Sequence, residues 1–516
     1  MVHVLWVDDE IESLNSHILF LQNKGYTIAT KSNGFDAVEY VKSEQVDVVL
    51  LDESMPGITG LQTLQRIKAV NNHLPVVLIT KNETENIMDE AIGSQISDYL
   101  IKPVNPNQVL LSLKKIVDNK RLVAEKTTQQ YQQEFSSLFM ALHDSPDHQG
   151  WMDIYKKLVY WELEIQKSQS PEMQEVFETQ KQEANQAFFK FIQKAYAQWM
   201  QPACTDAPLL SHQLMRFKVI PHLTKGQPLF FVLIDNLRFD QWKSIQPIFT
   251  ESFRVHEEDS FYSILPTATQ YARNAIFAGL LPVDIQKQYP QYWKNDDDEG
   301  GKNMHEEALL QAQLKRMGKQ DLKVSFTKIT NNLDGQKLVD NIHNLMQNDL
   351  NVIVYNFVDM LSHARTEMEV LKELAGDEVS YRSLTVSWFE HSPLHQALRK
   401  IADKDIQLIL ATDHGSTRVK SASKVIGDRQ TTANLRYKHG RNLDYEARDV
   451  LAFRQPQQAG LPAPHVNSSY IFAKGDLFLC YPNNYNHYVQ YYKNTFQHGG
   501  ISLEEMIIPV VRMSSR

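Results

Sequence analysis

Short apolar runs that end in a polar residue recur through the first 120 positions: "VHVLWV" before Asp8-Asp9, "VDVVLL" before Asp52, "LPVVLI" before Thr80 and "SDYLI" before Lys102-Pro103. Between them, "FDAVEYVKS" and "GLQTLQRIKAV" repeat apolar residues at the period of an amphipathic helix. Strands alternating with helices predict a parallel sheet whose functional groups stand at the strand carboxyl ends. From about Asn119 to Gln201 the pattern changes to Gln, Glu and Lys with almost no Gly or Pro. Trp151, Ile154, Tyr155, Leu158 and Trp161 recur there at helical spacing, as do Phe188, Phe189, Ile192 and Tyr196, and Ser170-Pro171-Glu172 reads as a capped helix start. Such stripes predict core packing in a small helical bundle that couples its neighbours, and any exposed part of them suits a dimer contact.

A second alternation begins at "PLFFVLIDNLRFDQW", an apolar strand ending at Asp235. "FYSILPTATQYARNAIFAGLLP" reads as a strand, a turn and a helix start whose free N–H groups favour an anion. "NVIVYNFVDMLSHAR" ends a strand near Asp359, with His363 four residues on and on the same face of a helical turn. "LILATDHGSTRV" runs into Asp413-His414, and "FQHGGISLEEMIIPV" sets His498 before two glycines. The boundaries expected from these patterns are 1–120, 121–205 and 206–516, the outer two α/β and the central one helical.

With 516 residues the chain is too long for one core, and 42% hydrophobic against 22% charged residues is ordinary for a globular protein. The formal charge of −9, from 53 basic and 62 acidic residues, gives no global basic face for duplex nucleic acid. Cys204 and Cys480 are the only cysteines, so a metal would have to be held by imidazole and carboxylate. "MVHVLWVDDE" lacks the pattern of a signal peptide and no apolar run approaches the ~18 residues of a membrane span, so a cytoplasmic protein is expected.

Asp8, Asp9 and Asp52 at neighbouring strand ends would repel one another and so favour a hard divalent cation such as Mg²⁺. Thr80 adds a hydroxyl and Lys102 an ammonium for phosphoryl oxygens. Acids often end strands and lysines often precede prolines, which explains any one of these positions but not all five in order. By Asp8-Asp9, "DESMPG" from Asp52 to Gly57, Thr80 and Lys102-Pro103, residues 1–120 resemble a two-component receiver domain. The resemblance implies a flavodoxin-like, five-stranded parallel sheet and phosphorylation of Asp52 by a sensor histidine kinase. It also implies Mg²⁺ held by Asp8, Asp9 and the Ser54 carbonyl, with Thr80 and Tyr99 as switch residues. Glu53, Ser54 and Lys81 depart from the commonest receiver residues.

In the C-terminal region each motif alone is commonplace. An Asp four residues before a His arises about once by chance in a chain of this length, and Asp413-His414 alone reads equally as a polar turn. Taken in order, Asp235, Thr269, Asp359, His363, Asp413, His414 and His498 resemble the alkaline phosphatase superfamily, nearest its nucleotide pyrophosphatase/phosphodiesterase branch and the PglZ group. The resemblance implies an alkaline-phosphatase-like domain with two zinc ions, one on Asp359, His363 and His498, the other on Asp235, Asp413, His414 and the nucleophile. "PTATQYARNAIFAGLLP" matches that branch's Pro-Thr-x-Thr pattern, with Thr269 as nucleophile and Thr267 as second choice. Arg273 and Asn274 either bind a phosphoryl oxygen or are polar helix residues. Arg436, Lys438, His439 and Arg441 either hold neighbouring phosphates of an oligonucleotide or form a solvated charge run. "NDDDEGG" at Asn295 to Gly301 is expected to be an exposed turn, and His391 and His395 are expected to be structural.

The order receiver, helical bundle, PglZ-type domain is similar to that of the PorX-type response regulators of type IX secretion. That resemblance implies a homodimer promoted by phosphorylation, and zinc-dependent hydrolysis of cyclic or linear oligonucleotide phosphodiesters through a phosphothreonine. It further implies contact with an extracytoplasmic-function sigma factor and secretion components. The alternative is a phosphorylation-switched, zinc-stabilised interaction module without catalysis. The Cys-x-Pro-x-Arg setting of a sulfatase is missing, and no helix-turn-helix signal points to direct operator binding.

Overall fold

Alternation along β1 (Val2–Val7) shows how the first sheet is built: Leu5 and Val7 face one apolar cluster, Val4 and Trp6 the other. The computed structural model describes residues 2–71, 74–81, 96–168, 170–296, 298–359, 376–428 and 431–516, and the chain divides into two units, residues 1–131 and 132–516. In the first unit β2 (Tyr26–Lys31), β1, β3 (Val48–Asp52), β4 (Val76–Thr80) and β5 (Asp98–Ile101) lie in that order, all parallel. Helices Gly34–Ser43 and Gly60–Val70 supply Ala37, Val38, Leu61, Leu64 and Ile67 to one face. Leu21 of helix Asn15–Asn23 and Val109 and Leu113 of helix Pro106–His143 cover the other. Both faces being covered, β3 and β4 are apolar up to their last residues, Asp52 and Thr80, and buried at every position.

The second unit has a six-stranded sheet in the order β7 (Phe253–Tyr262), β19 (Ile507–Ser515), β10 (Gln407–Ala411), β6 (Leu229–Ile234), β9 (Leu350–Tyr355), β8 (Val324–Ile329). β10, β6, β9 and β8 are mutually parallel, and β19 runs antiparallel to both of its neighbours. Between β10 and β19 the chain forms small sheets. β11 (Thr417–Arg418) pairs with β18 (Phe496–Gln497); β12 (Ser421–Ile426) lies between β14 (Asp444–Tyr445) and β17 (Leu477–Cys480); β16 (Ser468–Ala473) lies between β13 (Tyr437–Arg441) and β15 (Val450–Phe453).

Helices His148–Ser168 and Pro171–Trp199 belong to this unit. Their aromatic stripes are buried as expected, but against the α/β core: Tyr155 meets Phe239, Phe188 and Trp199 meet Tyr262, and the Tyr196 hydroxyl accepts from the Leu265 amide. The stripe is consumed inside the chain, so it offers no dimer face of the kind the sequence suggested. Ser170 caps the second helix with Pro171 in its first turn, as the sequence predicts.

The same helices carry buried charge into the α/β core. Arg382 of helix Glu378–His391 donates to Glu162 at 2.6 Å, to Asp240 at 2.9 Å and to Gln166 at 2.8 Å. Lys181 reaches Glu162 at 2.9 Å and Glu504 at 3.1 Å, and Arg238 bridges Asp240 and Glu378. Glu162, Asp240 and Glu378 bring carboxylate oxygens close enough together to suggest a metal claw, but Arg238, Arg382 and Lys181 already neutralise them. Lys438 contrasts with this cluster. It is 1% exposed on β13, donates to the Thr432 carbonyl and lies over the Tyr481 ring, and burial pulls its ammonium down to about 7.

Two stability predictions follow from these charges. Arg382→Met takes one of two cationic partners from each of two buried carboxylates and lowers unfolding stability by roughly 3 kcal/mol, read as a lower urea midpoint at unchanged slope. For Lys438 the sign runs through proton binding. Between about pH 7 and its ordinary value of 10.5 the unfolded chain holds a proton that the folded chain lacks, so this lysine makes stability rise with pH over that window. Lys438→Met flattens that rise, measured as the difference in melting temperature from wild type across the window.

Candidate functional site

In the first unit, Asp8 directly follows β1, Asp52 ends β3, Thr80 ends β4 and Lys102 follows β5. Asp8, Asp52 and Thr80 are buried; Asp9 and Ser54 are exposed. Lys102 Nζ lies 2.8 Å from Asp8 Oδ2 and 3.1 Å from Asp52 Oδ2. Burial pushes the Asp52 carboxyl above its usual range, Lys102 opposes this, and Asp8 and Asp9 add to it. One oxygen of each aspartate of the trio lies within 4.8 Å of the others, and Asp52 Oδ1 is buried without a hydrogen-bond partner among the described residues. Hard oxygen donors around an unmatched buried oxygen fit Mg²⁺. Tyr99, on β5 opposite Leu78 of β4, rests half-buried against one of the two apolar clusters. Glu53, an unusual residue after the acceptor aspartate, has a local use: its carboxylate accepts from the Leu61 amide at 2.8 Å, in the first turn of helix Gly60–Val70. Gly60 is required beside it, since a Cβ there would lie 2.5 Å from the Asp52 carbonyl oxygen.

In the second unit, Asp235 follows β6 and Thr412-Asp413-His414 follows β10, neighbouring parallel strands. Thr269 opens helix Thr269–Ala278, and its hydroxyl lies 3.1 Å from His414 Nε2 and 3.4 Å from Asp235 Oδ1. Asp235, Asp413 and His414 each turn a ligand atom to within 4.8 Å of the others, and Asp413 Oδ2 is buried without a hydrogen-bond partner among the described residues. Burial, then Asp235, pushes the Asp413 carboxyl well above its usual range. Burial holds the His414 imidazole below its ordinary value, against the pull of Asp235 and Asp359. His414 Nδ1 faces the Gly415 carbonyl at 3.1 Å and His498 Nδ1 faces the Thr267 carbonyl at 3.1 Å. A carbonyl only accepts, so both rings carry a proton on Nδ1 and turn Nε2 inward. The rings stack with centroids 4.2 Å apart, and His498 Nε2 stands 3.6 Å from Asp359 Oδ1. Imidazole nitrogens and carboxylates around an unmatched buried oxygen fit zinc. His363 lies outside the described residues.

The two threonines separate cleanly. The Thr267 hydroxyl donates to the Gly500 carbonyl and accepts from the Gly499 amide, each at 3.0 Å, so it ties the His498 loop in place. Thr269 is the one turned toward Asp235 and His414. Arg273 is buried: its guanidinium donates to Asp235 Oδ2 at 2.6 Å and to Glu306 Oε1 at 2.5 Å, and lies 3.8 Å from Asp413 Oδ2. It neutralises carboxylates and is not free for a phosphoryl oxygen. The Asn274 amide nitrogen is committed to the Gln270 and Lys302 carbonyls.

The basic run does not form a phosphate groove. Arg436 is fully buried and clamps both oxygens of Glu505, whose carboxylate also accepts from the Gly500 amide and whose carbonyl accepts from the Gly415 amide. Lys438 is buried as described, His439 stacks on Tyr470, and Arg441 pairs with Asp428. Nor is "NDDDEGG" wholly an exposed turn, since Asp296 is half-buried and accepts from the Tyr271 and Tyr437 hydroxyls. His391 and His395 turn Nδ1 to the Ser387 and Glu390 carbonyls, which suits a structural role.

Sequence reasoning missed Asn236, Glu306 and Glu505. Asn236 sits at φ +64°, a left-handed conformation that Asn tolerates, gives its amide N–H to Asp413 Oδ1 at 3.3 Å and reaches Asp359 Oδ1 at 3.5 Å. Its place directly after Asp235 was a usable signal; Glu306 and Glu505 carried none, because their partners are 33 and 69 residues away.

Comparison with known proteins gives three family matches. Residues 4–114 match the response regulator receiver domain, 121–200 the PorX response regulator linker domain, and 214–513 the PglZ alkaline phosphatase-like domain of BREX systems. Among curated relatives, the transcriptional regulatory protein ZraR of Klebsiella oxytoca is 34% identical over 25% of this chain and 29% of its own length. The regulatory protein VanRc of Enterococcus gallinarum is 33% identical over 22% of this chain and 48% of its own. The chain thus spans about three-tenths to one-half of the length of these relatives. Among solved structures, a CheY-like receiver protein of Methanospirillum hungatei is 21% identical, covering 23% of this chain and 95% of that one with a TM-score of 0.23. The response regulator TrrA of Thermotoga maritima is 29% identical over 22% and 99%, with a TM-score of 0.21. No described helix is long and apolar enough to cross a membrane. A receiver domain implies phosphorylation by a histidine kinase, and the match over residues 214–513 covers more than half of the chain. The chain belongs to the PglZ alkaline phosphatase-like family, as a response regulator of PorX type in which a receiver and the PorX linker precede the PglZ domain.

Proposed function

We propose that this response regulator, phosphorylated on Asp52, has as its output a zinc-dependent phosphodiesterase that cleaves oligonucleotide or cyclic-nucleotide phosphodiesters through a phosphothreonine on Thr269, in the control of type IX secretion. The observation that carries the reading is the Thr269 hydroxyl at the start of a helix, 3.1 Å from His414 Nε2 and 3.4 Å from Asp235 Oδ1, beside the unmatched Asp413 Oδ2. Asp235, Asp413, His414 and Thr269 would hold one zinc ion, and Asp359, His498 and His363 the other.

Zinc bound there supplies Lewis acidity, lowering the pKa of a coordinated hydroxyl and stabilising a leaving oxygen. The chain's residues do the positioning. Thr269 presents Oγ1 for in-line attack, so the phosphoryl group passes to threonine as the alcohol departs, and water then releases it. The Thr269 and Gln270 amides, which precede the Tyr271 and Ala272 amides bonded to the Ala268 carbonyl, orient the phosphoryl oxygens. Arg273 pairs with Asp235 and aims it, and Thr267 and Glu505 hold the loop that carries His498. In the receiver, Asp52 accepts the phosphoryl group from a sensor kinase and Lys102 meets a phosphoryl oxygen; Asp8 and Asp9 would hold a Mg²⁺ that neutralises its charge. Homodimerisation on phosphorylation and contact with a sigma factor or secretion components extend the same reading.

The test combines zinc analysis with hydrolysis of a chromogenic phosphodiester and of short oligonucleotides. Wild type is expected to hold two zinc ions and to cleave these substrates, and Thr269→Val to lose roughly three orders of magnitude or more in kcat while keeping its fold. Two zinc ions without cleavage would replace this reading with that of a zinc-stabilised interaction module, and full activity in Thr269→Val would remove Thr269 as the nucleophile. In the receiver, Asp52→Asn is expected to abolish labelling by a small-molecule phosphodonor with Mg²⁺, read on a phosphate-affinity gel.

A further inference from the structure

Helix Tyr485–Tyr492, "YNHYVQYY", contains no buried residue although five of its eight side chains are aromatic. Its inner face is accounted for. Tyr485, Val489 and Tyr492, spaced as one side of a helix, pack on Val419, Phe478 and Cys480. His487, Tyr488 and Tyr491 are not needed for that contact and stand on another side. Tyr488 is 41% exposed, and the His487 ring meets Tyr488 edge-on at 5.3 Å and stacks on Tyr491 at 6.3 Å. The core does not explain this aromatic side.

Charge narrows what it fits. From Leu477 to Leu503, 27 positions carry no Asp or Glu, where the chain's average of 62 in 516 would give about three. Lys493, exposed, follows the helix, and Lys424 Nζ lies over the Tyr485 ring at 5.4 Å. A surface of aromatic rings with flanking ammonium groups and no carboxylate on its segment suits a polyanion that also presents flat faces, a single-stranded oligonucleotide.

Connectivity ties the helix to the site. β18 leads from it directly into His498 and pairs with β11, which begins three residues after His414. Tyr492 is six residues from His498, at most about 20 Å of chain. At no less than about 3.4 Å per nucleotide, an oligonucleotide of roughly six is long enough to bridge that span.

We propose that His487, Tyr488 and Tyr491 form a base-stacking platform that holds single-stranded oligonucleotides whose phosphodiester lies at the Thr269 site. This deepens the phosphodiesterase reading and rests on it for the position of the scissile bond. The platform adds affinity for bases and touches no reacting atom.

The test measures binding apart from cleavage. Full-length protein is titrated with a fluorescein-labelled phosphorothioate hexathymidylate and its abasic analogue, read by anisotropy, and separately assayed on a chromogenic phosphodiester. Tyr488→Ala/Tyr491→Ala is expected to weaken hexathymidylate binding roughly tenfold or more, leave abasic binding unchanged and leave kcat and KM for the chromogenic diester unchanged. Tyr488→Phe/Tyr491→Phe, which keeps the rings, is expected to restore binding. Unchanged hexathymidylate affinity in the alanine variant overturns the platform, as does equal loss for the abasic analogue. Intact wild-type binding without diester cleavage overturns the catalytic reading alone.

Discussion

The second unit depends on keeping Asp235 and Asp413 side by side at the ends of two neighbouring parallel strands, out of water. Two buried carboxylates repel each other, and the raised Asp413 carboxyl records that repulsion together with burial. Arg273 opposes it, placed one helical turn beyond Thr269 so that one guanidinium meets Asp235 and lies near Asp413. Burial works against the arginine's charge, but Glu306, Asp235 and Asp413 more than offset it and raise its pKa. Glu306 is in turn matched by Lys328 on β8 at 2.9 Å. Charge therefore alternates outward from the site through Asp235, Arg273, Glu306 and Lys328. The same helix that presents the Thr269 hydroxyl fixes the carboxylates it faces, so that hydroxyl and the Asp235–Asp413 pair cannot be displaced independently.

The helices of 148–199 are part of this constraint. Arg238, three residues beyond Asp235, is fully buried and bound to Asp240, which shares Arg382 with Glu162. Asn185 accepts from the Leu503 amide and donates to Glu504, and the Glu504 carbonyl approaches Gly415 so closely that a Cβ there would lie 2.0 Å from it. Asp240 is thus joined to the helical segment through Arg382, and Leu503 and Glu504, the latter lying against Gly415, are bonded to it directly through Asn185. A polar network of this kind is costly unless every member is matched, which makes its geometry discrete.

How much of this the sequence disclosed depended on the range of the interaction. Strand ends were legible, because a fully apolar run that stops at an acid marks both the buried strand and the edge where its groups emerge: Asp52, Asp235 and Asp413 stand there. Helix starts were legible through Ser170-Pro171. β8 was not, since "VSFTKI" is an edge strand without an apolar run. Arg436 and Lys438 looked alike as positive charge in one short segment, yet one is clamped by Glu505 and the other has lost much of its basicity to burial. Nothing local distinguishes them. The aromatic stripes of 151–161 and 188–196 were rightly read as core, but what they would be packed against was set by residues more than 60 positions away.

Thr267 and Thr269 show how local chemistry and long-range packing divide the work. They are two residues apart, equally nucleophilic as side chains, and on one strand-to-helix turn. Ala268 is extended at the helix N-cap, where the strand-like run gives way to the helix, and the Thr267 hydroxyl is turned toward Gly499 and Gly500 while the Thr269 hydroxyl faces His414. The buried Thr267 hydroxyl is then spent holding the His498 loop, and the Thr267 carbonyl fixes the His498 tautomer. The Pro-Thr-x-Thr turn is accordingly one device in which the first threonine orients His498 and the second faces His414.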